Sequence, residues 1–196
     1  MKIQLKAIKY YHSLSRATHC YEANLYVDGV NVARVSNEGN GGADNQELRM
    51  YRQTDAQIRR NRQLLTSAKN KISLMQSRDG DKYGSKVSAN YYSIALERWC
   101  ADEVADWVIL KEMKRSMKTN ILFMENRDTI QVTCYKRQGK NLPVTQELID
   151  KFIQEYGKQP FPKPGWKVKI LNPLKDEELL HIIRDMSYKD TNANAA

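Results

Sequence analysis

The sequence predicts an α+β protein: an antiparallel-dominated sheet of five or six strands, a long helical hairpin inserted in its middle and short helices toward the C-terminus. Three observations carry this expectation. Stretches near both ends alternate apolar and polar residues with period two, residues 47–119 place apolar residues at helical spacing, and Gly-, Asp-, Asn- or Pro-rich stretches separate them. The chain's 196 residues are enough for a substantial core, and 41% hydrophobic with 28% charged residues is the balance of a folded chain.

Residues 2–10 set Ile3, Leu5 and Ala7 on one side, and residues 20–27 set Tyr21, Ala23, Leu25 and Val27 against Cys20, Glu22, Asn24 and Tyr26, so both read as strands. Asp28-Gly29 supplies the positive-φ positions of a type I′ turn, and Val30, Val32 and Val35 continue beyond it as the second arm of a hairpin. Asn37 to Asn45 contains Gly39, Gly41 and Gly42 and cannot hold regular structure cheaply. It reads as a loop leading to a helix start near Glu47.

From there Tyr51, Ile58, Leu65 and Ile72 recur every seven positions, with Ala68 and Met75 between them, as the narrow stripe of a long helix ending near Ser77. Residues 77–85 break the pattern. A second long helix is predicted from about Ala89 to Thr119, its wide apolar face including Tyr92, Leu96, Trp99, Cys100, Val104, Trp107, Leu110 and Met113. Its acids (Glu97, Asp102, Glu103, Asp106) lead and its bases (Lys111, Lys114, Arg115, Lys118) trail, the order that the helix dipole favours. The two helices are expected to pack antiparallel.

Asn120–Met124 and Thr129–Tyr135 flank the turn Glu125–Asp128 as a second hairpin. Thr145 is the N-cap of a short helix to about Tyr156, with Leu148, Ile149, Phe152 and Ile153 as its buried face. Pro160, Pro162 and Pro164 force an extended connection, Trp166–Leu171 alternates as a last strand, and a helix follows from about Pro173 to Met186. Residues 1–186 thus read as one domain containing the inserted helical hairpin, residues 47–119, and residues 187–196, small and polar, as a flexible tail.

No apolar run approaches the roughly 20 residues of a membrane span, and the opening MKIQLKAIKYYH lacks the apolar segment of a signal peptide, so a soluble intracellular protein is expected. Cys20, Cys100 and Cys134, with His12, His19 and His181, stand at spacings that make neither a disulfide framework nor a metal site. No acid, base and nucleophile come together by spacing, so the chain reads as a non-enzyme without catalytic residue, metal or cofactor.

Two loops warrant a ligand reading. Asn37, Gly39, Asn40, Gly41 and Gly42 could present backbone N–H groups to an anion or a partner. The loop lacks the Gly-Lys-Ser/Thr ending of a nucleotide-binding loop and the third spaced glycine of a dinucleotide fingerprint, so a plain strand-to-helix connection is the favoured reading. One of Gly41 and Gly42 is expected to hold positive φ. Asp79, Asp81 and Gly84 fall on the first, third and sixth positions of a calcium loop, but Tyr83 and Asn90 stand where further ligands are required, so calcium is not predicted.

Charge is the strongest functional signal. The net charge is +9, and residues 49–91 carry ten bases against Asp55, Asp79 and Asp81. The candidate partner-binding residues are Arg49, Arg52, Arg59, Arg60, Arg62, Lys69 and Lys71, with Arg52, Arg59 and Arg62 expected on one helix face. Arginine over lysine favours bidentate contact with phosphates or carboxylates, and a long basic helix repels itself unless something acidic meets it. Only one aromatic residue, Tyr51, interleaves with these bases, which favours contact with a nucleic-acid backbone over base stacking.

Leu14-Ser15 with Thr18, the strand ending Tyr26-Val27-Asp28-Gly29, the run Val35-Ser36-Asn37-Glu38-Gly39-Asn40-Gly41-Gly42, the helix from Leu96 to Trp99 leading to Lys111-Glu112-Met113-Lys114, and Asn120-Ile121-Leu122-Phe123 form a recognisable order. Over roughly residues 1–170 the chain resembles a group of small uncharacterised proteins carried by bacteriophages and mobile elements, most closely at the Asp-Gly hairpin and the Asn-x-Gly-x-Gly-Gly loop. The basic helix is longer than is usual in that group. The resemblance implies a phage-encoded accessory protein of the host cytoplasm and carries over no catalytic residue. The leading expectation is an inhibitor of a host defence or regulatory complex, its basic helix meeting an acidic protein surface or a bound nucleic acid. A direct DNA or RNA binder is the alternative, ahead of a virion component or a nucleotide-binding enzyme using the glycine loop. No membrane partner is expected.

Overall fold

The computed structural model describes residues 1–78, 81–84, 91–125, 129–137, 140–156 and 168–193, the side chains of 91–93, 125, 129, 137 and 187–193 excepted. These residues form four α-helices and antiparallel sheets of four and three strands, with a further two-strand ladder, where the sequence predicts one sheet of five or six. Contacts divide the chain into two compact units, Met1–Val108 and Ile109–Ala196.

The first unit orders its strands β1 (Ile3–Tyr10), β2 (Cys20–Val27), β3 (Val30–Glu38) and β4 (Asn45–Leu48) as β1-β2-β3-β4. Asp28 (φ 48°) and Gly29 (φ 83°) make the tight turn that pairs Val27 with Val30, as the Asp-Gly dipeptide implies. Tyr21, Ala23, Leu25 and Val27 face inward with Val32, Ala33 and Val35. The outward side is polar: Glu22 pairs with Arg34 at 2.9 Å, and the Lys6 ammonium stands 4.5 Å over the Tyr26 ring.

The predicted alternation of β1 fails at one residue. Ala7 adopts φ 53°, and the register slips between Lys6, opposite Asn24, and Lys9, opposite Glu22, so that two residues of β1 oppose one of β2. This bulge turns Ala7 away from Ile3 and Leu5, and the inward positions become Ile3, Leu5, Ile8 and Tyr10.

Helix α1 spans Asp55–Ser73, and the predicted start near Glu47 and end near Ser77 are both corrected. Asn45–Leu48 pairs with β3 instead, placing Gln46 opposite Val35 and Leu48 opposite Ala33. Thr54 then starts the helix with a capping box, its hydroxyl accepting from Gln57 N while Gln57 Oε1 accepts from Thr54 N at 2.8 Å. A Thr-x-x-Gln signature was present in the sequence and outweighs the heptad count that ran through it. Helix α1 packs on β2, β3 and β4, and Ala68 and Ile72 join Ala95, Leu96, Trp99, Cys100 and Val104 of α2 (Tyr91–Ser116) in the core. Both long helices therefore supply the sheet's cover.

The second unit contains the end of α2, β5 (Ile121–Glu125), β6 (Thr129–Thr133), the short ladder β7 (Lys136–Arg137) and β8 (Lys140–Asn141), α3 (Gln146–Tyr156), β9 (Val168–Ile170) and α4 (Asp176–Ala193). Its sheet runs β6-β5-β9. Central β5 is buried on both faces: Ile121 and Phe123 meet Ile149 and Phe152 of α3, while Leu122 and Met124 meet Met113, Leu171, Leu179 and Ile183. Thr145 caps α3 as expected, its hydroxyl accepting from Leu148 N at 3.3 Å, but Ile153 is exposed and not part of the buried face. Helix α4 starts at Asp176, and its backbone continues to Ala193 through most of the segment expected to be a flexible tail. Turn residues 126–128, the prolines of residues 157–164 and Trp166 lie outside the described residues. Among the described residues, no helix is long and apolar enough to cross a membrane.

Candidate functional site

The glycine loop is an internal tie. Gly41 has φ 85°, as expected for one of Gly41 and Gly42, and Gly39 has φ 82°. A Cβ at Gly39 would stand 2.3 Å from the Leu14 carbonyl oxygen and 2.9 Å from Cys20 Cβ. The Gly39 carbonyl accepts three backbone N–H groups, from Arg16 (3.0 Å), Ala17 (2.9 Å) and Thr18 (3.3 Å). The cradle thus exists with its polarity reversed, residues 16–18 donating and the glycine loop accepting. Gly39 N donates to Asn37 Oδ1 at 2.8 Å and Gly41 N to Thr18 Oγ1 at 3.2 Å, so both N–H groups are already engaged. This corrects the idea of an anion cradle at these two glycines.

Behind the loop lies a buried polar network. Asn37 Nδ2 donates to Gly42 O and to Asp44 Oδ1, each at 2.9 Å, and the Tyr21 hydroxyl donates to Asp44 Oδ2. Burial pushes the Asp44 carboxyl above its ordinary range, against the hydrogen bonds from Tyr21 and Asn37. Burial, reinforced by the Asp44 charge, also raises the thiol of fully buried Cys100, which keeps it a poor nucleophile.

A folded state that holds Asp44 above the unfolded value of 3.8 binds the extra proton between the two values, and stability falls as pH rises through that window. Asp44→Asn removes the titrating group while keeping an oxygen for the Tyr21 hydroxyl. Relative to the wild type, this variant is expected to gain stability between about pH 4 and pH 7, which paired urea titrations at the two values would measure.

The basic residues divide between two elements. Arg59, Arg60, Arg62, Lys69 and Lys71 lie on α1, but Arg49 and Arg52 lie in the connection from β4 to α1, so Arg52 does not share the helical face of Arg59 and Arg62. On α1 the buried side is Asn61, Ala68 and Ile72. Helical spacing puts Arg59, Arg62 and Lys69 along one flank and Arg60 and Lys71 along the other. Exposed Gln63, Thr66, Ser67 and Asn70 lie between them, and the helix holds no acid after Asp55.

These cations differ in how far they are committed. Lys71 Nζ donates to Met1 O at 2.6 Å, and burial pushes half-buried Lys69 below its ordinary range. Arg34, Arg78 and Arg98 each have a carboxylate partner, respectively Glu22, Asp106 with Asp102, and Asp81. Among the described residues Arg49, Arg52, Arg59, Arg60 and Arg62 have none, and all five are exposed.

The connection before α1 has a defined shape. Gln53 N donates to Met50 O at 3.2 Å, closing a tight turn in which Arg52 adopts φ 55°. Such a conformation costs a residue other than glycine about 1–2 kcal/mol. The Arg52 guanidinium lies 5.1 Å from the centroid of the Tyr51 ring. Asn61, only 2% exposed, holds the turn from below, its Nδ2 donating to Gln53 Oε1 at 2.7 Å and Arg49 O at 3.3 Å. Tyr51 was expected in the buried stripe; it stands 74% exposed and Met50 55% exposed, both off the helix.

Other residues weighed in the sequence make contacts within the fold. Tyr10 makes edge contacts with His12 and His19 at centroid separations of 6.2 and 5.6 Å. Asp81, the third position of the calcium-like loop, accepts from Ser77 Oγ and pairs with Arg98 at 3.0 Å, while Asp79 and Asn90 lie outside the described residues. Among the described residues no three or more His, Cys, Asp or Glu side chains are grouped to hold a metal ion. In comparisons with protein-family models, with curated proteins and with solved structures, nothing matches this chain.

Proposed function

We propose that the protein is a non-enzymatic binding protein whose arginine surface, Arg49, Arg52, Arg59, Arg60 and Arg62, seats on an acidic partner. One observation carries this reading: these five arginines are exposed with no carboxylate partner among the described residues, whereas Arg34, Arg78 and Arg98 are paired. An unbalanced group of cations raises the energy of the isolated protein, and an acidic partner relieves it. Together with the phage resemblance, the reading is a phage-encoded inhibitor acting in the host cytoplasm on a host protein or nucleoprotein complex. A direct DNA or RNA binder is the second reading, favoured by the hydroxyl and amide side chains of Gln63, Thr66, Ser67 and Asn70 between the cations.

Reversing Arg59, Arg60 and Arg62 together to Glu is expected to abolish partner capture in affinity purification from phage-infected cells. The melting temperature should hardly move, since exposed substitutions away from caps and cores change stability by under about 0.5 kcal/mol each. Capture that survives nuclease treatment supports the protein-seated inhibitor. Binding that disappears with nuclease and weakens steeply between roughly 50 and 200 mM salt supports the direct nucleic-acid binder. Undiminished capture by the triple variant would remove the arginine surface from the mechanism.

A further inference from the structure

We propose that the turn Met50–Gln53 and the first turns of α1 take a single nucleic-acid strand, with an unpaired base stacked on Tyr51 and the flanking phosphates held by Arg49, Arg59 and Arg62. The inference rests on the second reading above, that the arginine surface binds nucleic acid directly, and names the form of nucleic acid that the face takes.

Three features of the molecule converge on it. Tyr51 presents most of its ring to solvent, being 74% exposed, between Met50 and Arg52, which are exposed as well. The ring is held in place: Arg52 stands over it at 5.1 Å, and buried Asn61 pins the turn from the helix through Arg49 O and Gln53 Oε1. The same two bonds hold the Asn61 turn of α1 against the backbone at Arg49, and Arg59 and Arg62 stand exposed on that turn. Finally, Arg52 occupies a φ of 55°, where glycine would be unstrained and arginine is not. Backbone strain of this kind persists where the surrounding structure imposes it, and such sites tend to be binding sites.

One interleaved aromatic residue favours backbone contact over stacking in the sequence, but the exposure of the Tyr51 ring turns the preference toward a single strand. Each base has a π-face that an exposed tyrosine can stack on, whereas the bases of a duplex already stack on one another and offer such a ring little. Arginines with hydroxyl and amide neighbours match phosphate and sugar oxygens, and α1 has no acid after Asp55 to repel them. Stacking on Tyr51 should be sequence-tolerant, because it reads no base edge.

Fluorescence anisotropy with the full chain and labelled 20-mers tests this: a deoxythymidine homopolymer, a uridine homopolymer and a DNA duplex. The single strands are expected to bind more tightly than the duplex, and the two homopolymers show whether DNA or RNA is preferred. Tyr51→Ala should weaken single-strand binding roughly 5- to 150-fold while sparing duplex binding, and Tyr51→Phe should restore it. Arg52→Gly separates function from scaffold: it should raise the melting temperature by relieving the strained φ, yet lower single-strand affinity. Equal binding of strand and duplex, unchanged by Tyr51→Ala, overturns the proposal. So does failure to bind any of the three probes. If in that case the Arg59, Arg60 and Arg62 reversal still abolishes nuclease-resistant capture, the arginine surface stands as a protein-binding face and only the strand is ruled out. If the reversal leaves capture intact, the binding face itself has been misassigned.

Discussion

Trp99→Ala is expected to destabilise the protein by about 3–5 kcal/mol, the usual cost of truncating a buried tryptophan. Trp99 is 4% exposed and belongs to the cluster that joins the inner faces of β2 and β3 to Ala68 and Ile72 of α1 and to Leu96, Cys100 and Val104 of α2. A loss of that size is a large share of the roughly 5–15 kcal/mol that holds a domain together. Partial unfolding at 37 °C and a much lower urea midpoint are the expected readouts. Half-buried Trp107 provides the comparison, and Trp107→Ala should cost less. If Trp99→Ala melted with the wild type, α2 would not be the sheet's cover.

Gly39→Ala is expected to cost about 3 kcal/mol, from two terms that other glycines separate. The first is the positive φ of 82°, worth about 1–2 kcal/mol to any residue with a Cβ. The second is steric: the new methyl meets the Leu14 carbonyl oxygen at 2.3 Å, and relieving such a contact by moving backbone costs about 1–3 kcal/mol. Gly29→Ala isolates the first term, since its φ is 83° and nothing lies within 4 Å of the added carbon. Gly42→Ala carries neither term and should stay within about 0.5 kcal/mol of the wild type. Thermal melts should therefore rank Gly39 lowest, then Gly29, then Gly42. A Gly39→Ala variant no less stable than Gly29→Ala would show that residues 11–19 do not press on the loop.

Several elements were legible in the amino-acid order because the information they need is local. The Asp28-Gly29 turn requires two positive φ values that this dipeptide adopts readily, and the alternation of β2 reports directly which side is buried. The broad face of α2 and the capping of α3 by Thr145 are local in the same sense. Other features depended on partners distant in sequence. Heptad spacing could not reveal that Asn45–Leu48 would pair with β3 as a fourth strand, because its partners, Ala33 to Ser36, lie outside the stretch that the spacing covers. The period of β1 could not reveal a bulge at Ala7, because the slip exists only against β2.

The candidate site shows the same division. The order of residues alone determined that a basic, nearly acid-free segment exists, and it holds the Thr54-x-x-Gln57 capping signature inside a stretch expected to be helical from Glu47. Only the tertiary structure decided where the helix begins, and with it the fate of Tyr51. Carried in the helix, that ring would lie on the buried stripe; displaced into the turn that Asn61 pins, it stands in solvent beside Arg52. Likewise a positive φ at one of Gly41 and Gly42 was legible, whereas that of Gly39 and the direction of the loop's hydrogen bonds were set by residues 16–18 folding over it. A backbone conformation is chosen by its own residues, whereas which group donates to which depends on what the rest of the chain brings alongside.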